Sequence, residues 1–133
     1  MQIINYLKYF FYLAYNWNIR IATHIITHEI KGEKKYGINT TGADELTDLE
    51  EKGIDIEHAT IYMPVSYDLI EEIFIKADVS SFKYLIDIGC GKGRVLCVAA
   101  HFGLQKLAGI ELSRKFCDAA KLNLARTKQN FPL

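Results

Sequence analysis

The run Asp87-Ile-Gly-Cys-Gly-Lys-Gly-Arg94, DIGCGKGR, joins an apolar stretch at residues 84–88 (YLIDI) to a second one at residues 92–102 that is rich in Val95, Leu96, Val98, Ala99 and Ala100. Its reading decides the fold. The first stretch reads as a buried strand and the second as a helix, with Gly103 placed where a helix commonly ends in a left-handed residue. Between them, Gly89 lets the chain turn sharply out of the strand. Gly91 removes the Cβ that would hold a ligand off the backbone, and Gly93 permits close helix-to-strand packing. The amides that open the helix then face a ligand with partial positive charge, a setting suited to a carboxylate or phosphate.

Downstream, residues 107–111 (LAGIE) read as a second strand. Ser113 is placed to cap a last helix on whose inner side Phe116, Ala120 and Leu124 recur every fourth residue. Strand, glycine loop, helix, strand, helix is the alternation of a parallel α/β sheet. Glu111 closes the second strand about 20 residues past the loop, the spacing at which a carboxylate accepts hydrogen bonds from ribose hydroxyls. A nicotinamide-dependent oxidoreductase would use Glu111 equally well, but Arg94 stands where its loop takes a third glycine or an alanine. A Walker loop is excluded, because Lys92 is followed by Gly93 and no glycine lies five residues before Gly91.

Asp87-Ile-Gly-Cys-Gly-Lys-Gly93 resembles the first motif, D/E-x-G-x-G-x-G, of class I S-adenosylmethionine-dependent methyltransferases, and Gly109-Ile-Glu-Leu-Ser113 resembles their second. The resemblance implies a Rossmann-like parallel sheet with flanking helices. It implies S-adenosylmethionine as cofactor, with Asp87, Gly89, Cys90, Gly91 and Gly93 around its methionine part, Glu111 on the ribose and Leu112 near the adenine. Tyr62-Met-Pro-Val-Ser-Tyr67 and Gly37-Ile-Asn-Thr-Thr-Gly42 also look like segments that precede the first motif in one group of bacterial methyltransferases. That likeness makes Tyr62 or Tyr67 a candidate to close over the cofactor. Only the first two strands of the resembled sheet are expected here, and the parts that choose and methylate an acceptor are expected beyond Leu133. The resemblance therefore names no acceptor and no catalytic residue. The open strand edges are expected to drive self-association or to meet a partner chain. A non-catalytic module used for protein association is the alternative.

The rest of the chain divides into a helical extension and loop, residues 1–60, and a truncated cofactor-binding domain, residues 61–133. Residues 1–26 are apolar, but Asn5, Lys8, Asn16, Asn18 and Arg20 interrupt them too often for a membrane span. They read as one amphipathic helix with Ile3, Leu7, Phe10, Ala14, Trp17, Ile21 and Ile25 on the packed side, or, less simply, as a membrane-surface segment. Residues 29–35 read as a charged stretch, 36–42 as a loop and 43–52 (ADELTDLEEK) as an acidic helix stopped by Gly53. Pro64 opens a further helix to about Ala77, with Val65, Leu69, Ile70, Ile73 and Phe74 inward.

Sixteen basic side chains balance sixteen acidic ones, so the chain as a whole carries no field that would draw it to nucleic acid. Cys90, Cys97 and Cys117 form no C-x-x-C pair, which fits a reducing cytoplasm. His24 and His28 lie four apart, without a third ligand to complete a metal site. His101, near a helix end, is expected to meet free carbonyls.

Overall fold

A computed structural model describes residues 2–42 and 62–130. Their order is α1 (Gln2–Asn16), α2 (Ile19–Tyr36), α3 (Tyr67–Lys76), a 3-10 turn (Val79–Ser81), β1 (Tyr84–Ile88), α4 (Arg94–His101), β2 (Lys106–Ile110) and α5 (Arg114–Asn130). Five helices and a two-stranded parallel sheet make the described residues α/β. The strands pair in register from Tyr84 beside Lys106 to Ile88 beside Ile110, with α4 as the connecting helix that parallel pairing requires.

Differences from the expected boundaries have local causes. The helix after the glycine loop starts at Arg94, since Lys92 and Gly93 are spent in the turn and Gly93 is its N-cap. β2 ends at Ile110, so Glu111 stands just past the strand. Ser113 caps α5 as expected, its Oγ accepting from the Phe116 amide at 3.4 Å. In α3 the cap is Ser66, whose Oγ accepts from Leu69 N at 3.3 Å. Pro64 therefore precedes the helix, and Tyr67, Ile70 and Phe74 form its buried side while Val65, Leu69 and Ile73 stay exposed.

The single N-terminal helix is corrected to two. Trp17 N bonds to Leu13 O at 2.9 Å to end α1, and Asn18 Oδ1 accepts from Ile21 N at 3.0 Å to begin α2. An asparagine that satisfies the first amides of a new helix breaks the old one. Across the two helices Tyr9, Leu13 and Ala22 are buried, with Phe10, Ala14 and Ile25 packed against them. Ile3, Leu7, Trp17 and Ile21 of the expected stripe are exposed instead. Residues 29–35 are the last turns of α2, not a stretch outside a helix. The acidic 43–52 stretch and Gly53 lie outside the described residues.

The main core gathers Tyr36 at the end of α2 and Ile38 just after it, Tyr67, Ile70 and Phe74 of α3, and Cys97, Val98 and Ala99 of α4. Half-buried Leu85 and Leu107 bring one face of the sheet to it. Among the described residues nothing covers the other face, where Ile88 is 80% exposed beside exposed Ile86 and Ile110. β1 is thus covered on one side, not fully buried.

Candidate cofactor site

The site is built where β1 and β2 end. Gly89 N and Cys90 N both donate to Ile110 O, at 2.7 and 3.1 Å, so the chain leaving β1 folds across the end of β2. That turn needs Gly89 at φ +77°, and a Cβ there would meet nothing within 4 Å, leaving the backbone open to a ligand. The Glu111 carboxylate then closes the corner: Oε2 accepts from Gly91 N and Oε1 from Ser113 N, each at 2.8 Å. Each oxygen keeps a second lone pair for a ligand hydroxyl. Asp87, in β1 beside Gly109, has its carboxyl held above the usual carboxylate range by burial and then by the nearby Glu111 charge. Burial also pushes the Cys90 thiol up to about 11, and its Sγ fills the space a Cβ on Gly109 would need.

The two other loop glycines make room for protein. A Cβ on Gly91 would lie 2.4 Å from the Tyr62 ring, and one on Gly93 would lie 3.0 Å from Ala120 Cβ. Gly93 therefore permits packing of the loop on helix α5, where closeness between helix and strand was expected. Tyr62 rests over the loop, with its hydroxyl donating to Thr40 O at 2.9 Å and Lys92 Nζ 4.7 Å from its ring centroid. Tyr67 is buried elsewhere, stacked on Tyr36 and beneath the Arg94 guanidinium. Of the two tyrosines, only Tyr62 is shown against the loop. Leu112 is exposed just beyond Glu111.

Arg94 is the part that reading the motif missed. It is 3% exposed and reaches across the core to α2, where its NH1 and NH2 groups donate to Glu29 at 2.8 and 2.5 Å. Its Nε donates to Thr40 Oγ1 and a terminal nitrogen to Val65 O, both at 2.8 Å. Alongside, Glu33 Oε1 accepts from the amides of Thr40 and Thr41 at 2.5 and 2.6 Å. From α5, Asn123 Nδ2 donates to Asn39 O at 3.0 Å and Lys92 O at 2.9 Å. The GINTTG loop is thus clamped between α2, α5 and the glycine loop. A bidentate arginine explains why the sixth motif position is not a glycine.

The rings of His24 and His28 lie 4.3 Å apart, tilted by 44°, and His28 Nδ1 meets Asp68 Oδ2 at 2.5 Å. No group of three metal-ligating side chains exists among the described residues. His101 bonds Thr127 Oγ1 at 2.9 Å and packs edge-on against Tyr36.

A glycine turn and two carboxylates stand at the carboxyl ends of the parallel strands, the corner outside which open α/β sheets in general bind their ligands. The family described as histone methylation protein DOT1 matches residues 56–132, more than half of the chain, and the chain belongs to that methyltransferase family. No curated protein and no solved structure matches it significantly.

Proposed function

We propose that the chain is a class I methyltransferase with a Rossmann-like cofactor domain, and that it binds S-adenosylmethionine through Asp87, Gly89, Cys90, Gly91, Gly93, Glu111 and Leu112. The observation that carries this reading is the convergence of Glu111 on the Gly91 amide beside Asp87 and the open backbone of Gly89. Such a corner fits a ligand with a ribose, a cationic amine and little bulk near the turn. When bound, the cofactor supplies a methyl group already activated on a sulfonium. Glu111 accepts from the ribose hydroxyls while its bonds to Gly91 N and Ser113 N hold it still. Asp87 offers a carboxylate to the amine, and Tyr62 keeps water from one side of the loop. For an in-line displacement, positioning of this kind is the main protein contribution.

The family description supports a protein acceptor. The free thiols of Cys90, Cys97 and Cys117 suit a cytoplasmic setting. A second reading, a non-catalytic module that associates through its sheet, rests on the uncovered apolar face of β1 and β2.

Calorimetric titration with S-adenosylmethionine and with its demethylated product tests the proposal. The chain is expected to bind both, and Glu111→Ala to lose at least about tenfold in affinity, as removal of charge-assisted hydrogen bonds implies, with its circular dichroism unchanged. Unaltered affinity in the variant means that the ribose role is misassigned. A chain that binds neither compound while forming a defined oligomer favours the association module.

A further inference from the structure

The hairpin of α1 and α2 has an outward face that the site does not use. Ile4, Leu7, Phe11 and Tyr15 recur at helical spacing along α1 and are 55, 53, 67 and 91% exposed. At 3.6 residues per turn they span an arc roughly 80° wide. Trp17, just past the end of α1, is also exposed. The opposite side of α1 is already occupied, since Tyr9 and Leu13 are buried with Ala22 of α2. Polar substitution of the outer arc would not disturb that packing.

Among the described residues, the exposed Lys, Arg, Asp and Glu side chains that the hairpin itself carries have one sign. From Gln2 to His28 the sequence contains Lys8 and Arg20 and no Asp or Glu, and both basic residues are exposed. The two acids of α2 are turned inward, Glu29 to Arg94 and Glu33 to the amides of Thr40 and Thr41. Lys31 and Lys34 are exposed on the same helix, while Lys35 is paired with Glu71. Gln2 Nε2 donates to Glu33 Oε2 at 2.8 Å, so the start of α1 lies beside the end of α2. Basic side chains therefore sit toward both ends of the apolar arc, with Lys8 between, on a chain whose overall charge is zero.

We infer that α1 is a membrane-surface helix that lays Ile4, Leu7, Phe11 and Tyr15 into the interface of a bilayer with anionic headgroups. A helix with an apolar face, aromatic residues at its margin and basic side chains that reach outward lies in the plane of such a surface. Anionic lipid adds attraction for each exposed lysine or arginine near it. A second copy of the chain fits less well, because two such faces would bring like charges together. No described helix is long and apolar enough to cross a membrane, so the contact is one of lying on the surface.

The test uses the full chain with phosphatidylcholine vesicles, with and without roughly a third of phosphatidylglycerol, and needs no cofactor. Trp17 is the sole tryptophan and reports directly. With the anionic vesicles its emission is expected to shift to the blue and the protein to float with the lipid, both effects weakening in high salt. Leu7→Glu/Phe11→Glu is expected to lower the lipid-bound fraction at least about tenfold, since each buried apolar side chain of this size accounts for a factor of ten or more. Its circular dichroism and thermal midpoint should match those of the parent. Absence of binding to either vesicle, or equal binding by the double variant, overturns the inference. So does a dimer in sedimentation that the double variant dissociates, which would assign this face to a second copy.

Discussion

Two carboxylates share the corner at the ends of β1 and β2, and they are held in different ways. Glu111 is fixed by two backbone amides, while Asp87 is raised by burial and by Glu111 itself. A folded-state pKa above the unfolded value means that the folded chain binds the proton more tightly. Asp87 therefore contributes stability below the ordinary aspartate range, and loses it as pH rises through the raised value. Across that window the thermal midpoint of the parent is expected to fall relative to Asp87→Asn, and a constant difference would contradict this. Near neutral pH the variant should be at least as stable as the parent yet bind the cofactor more weakly, an opposition typical of residues kept for function. Arg94→Met is expected to cost about 3–5 kcal/mol in urea denaturation, because it leaves Glu29 buried without its partner. These residues were unequally legible. Asp87, the glycines and Glu111 declare themselves through local spacing, since one turn and one strand bring them together. Arg94 was readable only as a departure from a glycine pattern, because Glu29 lies 65 positions away and no local periodicity links them.

At the scale of elements, the strand–loop–helix unit was legible because apolar runs and glycines mark it independently of tertiary context. Its ends moved by one or two residues where loop geometry used up Lys92 and Gly93. The N-terminal segment was misread as one helix because the apolar pattern passes through Asn18 almost unbroken, while a single side-chain cap decides the outcome. Asn18→Ala is expected to cost about 1 kcal/mol, measured by urea denaturation. No measurable loss would mean that packing of Leu13 and Ala22 alone fixes the bend. Within α1, Tyr9 and Leu13 face inward, while Ile4, Leu7, Phe11 and Tyr15 face out.

Across the whole molecule, the extension and the motif-bearing part share one core: Tyr36 and Ile38 pack with Tyr67, Cys97 and Val98, and Arg94, Glu29 and Thr40 join them through hydrogen bonds. Composition could not reveal this, nor the one-signed surface of the hairpin, because a balanced total says nothing about which charges are turned inward. The acceptor was equally illegible, since no described residue declares an acceptor pocket by its spacing. Our proposal that S-adenosylmethionine is held at the ends of β1 and β2 can be tested amide by amide. Titration of the isotope-labelled chain, followed by nuclear magnetic resonance, is expected to shift the backbone signals of residues 87–93, Glu111 and Leu112 most strongly, and those of α1 little. Saturable shifts confined to other surfaces, or none at all, would contradict the account.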